Sequence, residues 1–304
     1  MAGISGGALA AAVTRAGGLG ILGGGYGDAP WLQAQLALAG DTPVGVGFIT
    51  WALERQPHLL GMALAHRPRA IFLSFGSIAR FAAEVHAAGV PLIAQVQTVA
   101  QAREAVAQGA DLIVAQGTEA GGHGAQRATL PLVPAVVDAI GPVPVIAAGG
   151  IADGRGLAAV LALGAIGALC GTIFYAAEEA LAHDDAKQVL VQASGDDTER
   201  SAVFDIARDL HWPAPWNLRA LKNDFSQRWS ADVDGLRAHL AEEQRRYAAA
   251  REASDFNTAA VIVGEAVDLV RAVRPAAEIV DSIIRQAADT LAVVSRWRTA
   301  PPVN

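Results

Sequence analysis

Between Val143 and Thr172 the chain reads VPVIAAGGIADGRGLAAVLALGAIGALCGT, and this stretch limits the fold more than any other. An apolar run at 143–147 breaks at Ala148-Gly149-Gly150. A helix-compatible segment follows at 157–163, and a second run at 167–170 ends in Gly171-Thr172. Two successive parallel strands that each close on glycine aim several backbone N–H groups at one point, because only a residue without a side chain lets the main chain come so close. A phosphate is the natural guest, and the loops after the last two strands of an eight-stranded α/β barrel are where phosphate groups sit. Either turn alone would serve equally as a tight strand-to-helix connection.

The same alternation starts at the N-terminus. A glycine-rich loop at 1–7 leads into a helix-compatible run at 7–16, closed by Gly17-Gly18. Strands are expected at 19–22, 44–48, 70–75, 91–96 and 112–116, with helices between them at 28–39, 51–64, 77–88 and 98–108. Asp28 before Pro30, and Thr98, stand at cap positions. Unbroken alternation of strand and helix implies a parallel sheet with right-handed crossovers. The fold expected is α/β, a TIM (β/α)8-type barrel. Seven strands are countable where closure needs eight, so the first strand is expected to precede Met1 or to be supplied in another way. An open doubly wound sheet could hold seven, but Gly18, Gly20 and Gly23, which have GxGxxG spacing, overlap a strand instead of following one.

After Thr172 the composition changes. EEALAHDDAKQ, GDDTER and HWPAPWNLRALKNDFSQRW bring charge and half of the 6 tryptophans. Residues 176–252 read as an inserted, mainly helical subdomain over the barrel mouth, with 241–251 a solvated helix. Residues 1–175 and 253–304 read as the barrel, closed by a helical stretch over 256–298 that starts to pack near Gly264, Ala266 and Val267.

Composition excludes several classes. With 304 residues, 52% of them hydrophobic and 17% charged, the chain is no disordered segment, and a barrel uses about 250 residues as one domain. Acidic residues outnumber basic ones 30 to 23, the net charge is -7 and no Lys/Arg cluster stands out, which disfavours nucleic acid as a partner. The single Cys170 admits no internal disulfide and suits a reducing, cytoplasmic setting. Residues 157–177 carry no charge and match a bilayer in length, but Gly164, Gly167 and Gly171 divide them into a helix half and a strand half, so no membrane span is expected. The N-terminus has no basic n-region and is interrupted by Arg15, so it is not read as a signal peptide.

The most specific chemistry lies in QGTEAGGHG at 116–124, directly after an expected strand. It sets one imidazole among four glycines where barrel enzymes build their sites. His123, not expected to be a packed core residue on such a backbone, is the candidate general base or proton donor. The other histidines, His58, His66, His86, His183, His211 and His239, fit solvent exposure. Glu119 reads as an exposed loop carboxylate, Cys170 as a small buried residue, and Ser5 lacks a GxSxG context. No HExxH or CxxC spacing suggests a metal.

With these residues in view, the chain resembles the nitronate monooxygenase (2-nitropropane dioxygenase) family of flavin-dependent barrels over nearly its whole length. MAGISGGALAAAVTRAGGLGILGGG is similar to the family's first loop, first helix and second strand. QGTEAGGHG resembles its histidine loop, and AAGGIADGRG and ALCGT its two phosphate loops. EEALAHDDAKQ and WPAPWNLRALKNDF are also similar to family text. The resemblance implies an FMN cofactor with its phosphate on Gly149, Gly150, Gly171 and Thr172, Leu169 and Cys170 lining the same turn, and Gln116 and Gly121 at the flavin or ribityl chain. It sets the backbone of Met1, Ala2 and Gly3 against the isoalloxazine, with Gln95 in reach, and makes His123 the base near the flavin N5 face. Gly47, in GVGF, stands where many relatives carry an asparagine that touches the flavin, and LCGTIF replaces the commoner QMGTRF. The implied reaction oxidises a nitronate such as propionate 3-nitronate with O2 to a carbonyl compound and nitrite, the histidine first taking the α-proton of a neutral nitroalkane. The resemblance also allows a homodimer. Two alternatives stay open: an FMN-dependent NAD(P)H reductase of enoyl-acyl-carrier or quinone type, and an inactive flavin-binding relative.

Overall fold

Short apolar runs bounded by glycine or glutamine become the strands. The structure, a computed structural model, describes residues 1–296. In chain order the strands are β1 (Ile21–Gly23), β2 (Gly45–Ile49), β3 (Ala70–Ser74), β4 (Leu92–Val96), β5 (Leu112–Gln116), β6 (Gly122–Gly124), β7 (Val145–Ala148), β8 (Gly167–Leu169), β9 (Thr198–Ser201) and β10 (Asn217–Leu221). Seven of them form one parallel sheet in the order β1-β2-β3-β4-β5-β7-β8, as the alternation predicts, curled into an open barrel with β1 and β8 at its two edges. A second, antiparallel sheet has the order β6-β10-β9.

Both faces of the parallel sheet are covered, which is why its strands read as continuous apolar runs rather than alternating ones. Val46, Phe48, Ile71, Leu73, Leu92, Ile113, Val145 and Ala147 pack outward on the helices. Ala70, Phe72, Ile93, Val114 and Ala148, joined by Ile21, Ile146 and Leu169, fill the interior. Side chains alternate with a period of two, so the inner rows of β3, β4 and β5 end in Ser74, Gln95 and Gln116. These polar termini mark the carboxyl end of the barrel.

Helix ends follow the cap residues. Asp28 accepts from Trp31 N, and Thr98 from Gln101 N. The expected helix at 51–64 is two helices, Thr50–Leu53 and His58–Ala65, because Pro57 lacks an N–H and disfavours helix at Gln56. A helix at Thr129–Ile140 arises despite Pro131 and Pro134. Pro131 lies in the first turn, where an N–H has no helical partner. The segment after 252 is not helical from its start: 265–269 forms a 3-10 turn, and the closing helix is Ala276–Arg296, the expected continuation to 298 falling outside the described residues. That helix packs on Gly154–Ala162 and also touches Gly7–Arg15, so it covers the side where the sheet is open. The approach is backbone to backbone. A Cβ at Gly154 would collide with Ala287 N and Ile283 O, and Gly154 N donates to Gln286 Oε1 at 2.8 Å. At the other edge Ser5 Oγ donates to Ile21 O at 2.6 Å and Gly23 N to Ser5 O at 2.9 Å, which folds the N-terminal turn over β1.

The region 176–252 contains β9 and β10 alongside its more extensive helices. Its helix Leu240–Glu252 is not fully solvated: Glu243, Tyr247 and Ala250, spaced four and three apart, form a buried face. No helix among the described residues is long and apolar enough to cross a membrane. The uncharged stretch at 157–177 is split between the helix Gly154–Ala162, β8 and the turn Thr172–Tyr175.

Candidate active site

The polar ends of the inner rows are joined to one another. Gln95 Nε2 and Gln97 Nε2 donate to Gln116 Oε1 at 3.1 and 2.8 Å, Trp216 Nε1 donates to Gln97 Oε1 at 2.9 Å, and Gln116 Nε2 donates to the carbonyl of His123 at 2.9 Å. The candidate histidine is therefore tied to β4 and β5 through its backbone. It is tied to the second sheet as well, because β6 pairs with β10 so that His123 lies opposite Leu218.

That pairing overturns the expectation of an unpacked loop histidine. His123 is only 8% exposed, because the glycines beside it permit a close strand pairing with a segment almost 100 positions away in the chain. Its Nε2 lies 3.0 and 2.9 Å from the two carboxylate oxygens of Asp205. Trp212 stacks on the imidazole with centroids 3.4 Å apart and planes 10° from parallel. Burial pulls the His123 pKa below its ordinary value; Asp205 opposes this, and Arg208 and Arg200 add to it. The other six histidines are exposed, as expected.

Around Trp212 lies an aromatic cluster. Phe75, Trp51 and Tyr26 meet it edge-on at 5.0, 5.4 and 6.2 Å, and Trp212 Nε1 donates to Tyr26 Oη at 3.0 Å. Phe75 follows β3 with φ 66°, a left-handed conformation that costs a side chain of this size about 1–2 kcal/mol. Contacts to Trp212, Trp216 and His123 hold it there. At the same end, Thr50 Oγ1, Trp51 Nε1 and Ser74 Oγ are buried with no partner among the described residues.

Two arginines fix the histidine loop. The guanidinium of Arg200, on β9, donates to the carbonyls of Thr118, Ala120, Gly122 and Asn217. Arg219, on β10, donates to Thr118 O at 3.0 Å and pairs with Glu265 at 2.8 Å. Burial lowers the Arg200 pKa to about 10, still well above neutrality.

The glycine turns lie beside this loop. β5, β7 and β8 are neighbours, with Gln116 opposite Ala148 and Ala148 opposite Leu169, so Gly149-Gly150 and Cys170-Gly171-Thr172 leave the barrel side by side. Gly149 and Gly150 have φ of 104° and 71°, and a Cβ at Gly171 would meet nothing within 4 Å. Thr172 Oγ1 accepts from Gly264 N at 2.9 Å, and Gly121 lies against the Val263–Gly264 backbone, so the histidine loop and the second turn share one support. Leu169 ends the inner row of β8. Burial pushes the Cys170 thiol up to about 12, as befits a packed residue. Glu119 is not a free loop carboxylate: it accepts from Thr129 N at 3.0 Å and from Thr129 Oγ1 at 2.8 Å, capping the helix Thr129–Ile140.

Ala2 and Gly3 line a cleft of about 560 Å³ with Gly23–Gly25, Tyr26, Arg208, Tyr247, Arg251 and Phe256. His123 and the glycine turns are not part of its lining. Met1 lies over Gly23 and Gly47: a Cβ at Gly47 would be 2.8 Å from Met1 Cε, so the methionine takes the space that a longer side chain at 47 would need.

Asp205, Arg200, Arg219, Phe75 and Trp212 were not singled out by the sequence. Their one signal is a charge set in an apolar frame, as in AVFDIA, or tryptophans flanking prolines, as in HWPAPW.

The nitronate monooxygenase family model matches residues 53–286. The chain belongs to the nitronate monooxygenase family. It is therefore an oxidoreductase enzyme. A nitronate monooxygenase from Neurospora crassa is 32% identical over 95% of this chain and 87% of its own length. Among solved structures, FabK from Thermotoga maritima superposes with TM-score 0.84 at 29% identity, covering 98% of this chain and 93% of that one. The nitroalkane oxidase from Streptomyces ansochromogenes does so with TM-score 0.81 at 28% identity, covering 97% and 95%.

Proposed function

We propose that this member of the family is an FMN-dependent nitronate monooxygenase that oxidises alkyl nitronates with O2 to a carbonyl compound and nitrite. The observation that carries the reading is the adjacency of β5, β7 and β8, which brings the histidine loop and both glycine turns to one end of one sheet. The residues fit the cofactor. The left-handed Gly149-Gly150 turn and the open Gly171 offer an anion cradle, and Thr50, Trp51 and Ser74 are buried donors with no partner among the described residues. Gly149, Gly150, Gly171 and Thr172 would hold the phosphate, while Gln95, Gln116, Ala2 and Gly3 would face the ring system, which supplies the redox chemistry when bound.

His123 takes the α-proton of a neutral nitroalkane and is not needed for a preformed nitronate. A positioned base contributes roughly 10²- to 10⁴-fold to such a step. The cleft beside Ala2 and Gly3, of a size that suits a small ligand, admits the substrate, and Arg208 and Arg251 on its wall favour an anion. A second reading, an NAD(P)H-dependent reductase, is supported by the likeness to FabK, which matches in TM-score as well as the nitroalkane oxidase does.

The absorbance spectrum of freshly purified protein, followed by anaerobic mixing, tests both. The monooxygenase reading expects a yellow protein bleached by propionate 3-nitronate and left coloured by NADH. Rapid bleaching by NADH alone supports the reductase.

A further inference from the structure

Beside the candidate base stands a carboxylate that the reading above does not use. Asp205 is 4% exposed on the short helix Val203–Ala207, and its neighbours Val203, Phe204 and Ala207 belong to an apolar cluster with Leu218, Phe225 and Trp229. An ionised group in such surroundings is costly unless it is paired, and its partner here is His123, 82 positions away. Both carboxylate oxygens converge on the same ring nitrogen.

We propose that Asp205 is the positioning residue of His123: by accepting the Nε2–H through both oxygens it fixes the neutral ring as the Nε2–H tautomer and leaves Nδ1 as the basic atom. The inference rests on His123 being the base for neutral nitroalkanes. Three further restraints hold the ring in place: the Trp212 stack on its face, the Gln116 bond to its carbonyl and the strand pairing opposite Leu218. Nδ1 makes no hydrogen bond to any described residue and is the nitrogen left to meet substrate. In the proton transfer, Nδ1 gains the α-proton, the C–H electron pair stays with the substrate as its nitronate, and the cationic ring is held against Asp205. The charged groups that face His123 are Asp205, Arg208 just beyond the same helix, and Arg200 from β9; Leu218, Phe75 and Trp212 face it without charge. Among the described residues only Asp205 favours the protonated ring.

The test is Asp205→Asn in the full-length enzyme, an isosteric change whose amide can donate to Nε2 and drive the proton onto Nδ1. Turnover of a neutral nitroalkane is expected to fall by about 10²-fold or more, turnover of preformed nitronate to change by less than about 3-fold, and the acid limb of the neutral-substrate pH profile to move to lower pH. A purely structural role would lower both substrates together and leave the acid limb where it was, and that result overturns the proposal. Nitrogen NMR of the His123 side chain gives a readout that needs no turnover. An Nε2–H tautomer in the parent that is lost in the variant supports the dyad even if no nitronate is oxidised, a case that sinks the functional reading alone. An Nδ1–H tautomer in the parent overturns the proposal whatever the activity.

Discussion

Arg200→Met is the most informative single change to the scaffold of the site. The guanidinium donates to four backbone carbonyls, those of Thr118, Ala120, Gly122 and Asn217, at 2.8 to 3.3 Å. A hydrogen bond with a charged partner contributes about 1.5–3 kcal/mol net, and bonds made by one side chain do not add in full. Because Arg200 is half-buried and ordering it opposes the gain, about 3 kcal/mol is the expected loss. For a chain of this length that corresponds to a fall in Tm of about 5 °C. Lysine presents one compact ammonium in place of a planar fork, so Arg200→Lys should recover less than half. Denaturant titration measures the stability, and hydrogen exchange over 118–124 locates the loss. A change below about 1 kcal/mol, or full rescue by lysine, would refute the view that this fork holds the histidine loop.

Other expectations follow from the same contacts. His123→Ala should lower kcat/KM for a neutral nitroalkane by about 10²- to 10⁴-fold and leave preformed nitronate nearly unaffected, which parallel steady-state assays check. Because burial depresses the His123 pKa, its neutral form persists below pH 6.5; its contribution to stability is present above 6.5 and is lost as pH falls through the depressed value, so the acid limb of the neutral-substrate profile should lie below 6.5. Gly154→Ala, which drives a methyl group into the backbone of the helix Ala276–Arg296, should cost at least about 2 kcal/mol in denaturant unfolding. With its thiol at about 12, Cys170 should react with a disulfide reagent at pH 8 far more slowly than a free thiol, and unfolding should restore the rate.

The parallel sheet is legible in the sequence because its inner strands are buried on both faces and run out into glycine or a polar residue, a local signal. Asp28 and Thr98 are local signals too, since a cap acts within three residues. The helix Thr129–Ile140 is hidden by its prolines, one of which costs nothing in a first turn. What surrounds His123 is hidden for a different reason. Asp205, Trp212 and Leu218 reach it from 82 or more positions away through a pairing of β6 with β10 that no periodicity announces, since Gly122–Gly124 is too short and too glycine-rich to read as a strand. The sequence therefore identifies the imidazole and the two glycine turns, and leaves unread the carboxylate, the indole and the arginine fork that set its conformation.

Nitrite yield bears most directly on the account. Purified enzyme in aerobic buffer with propionate 3-nitronate and no nicotinamide should release nitrite as the nitronate is consumed, with O2 uptake alongside. Nitronate left intact in that mixture, with no nitrite formed and no O2 consumed, would contradict it.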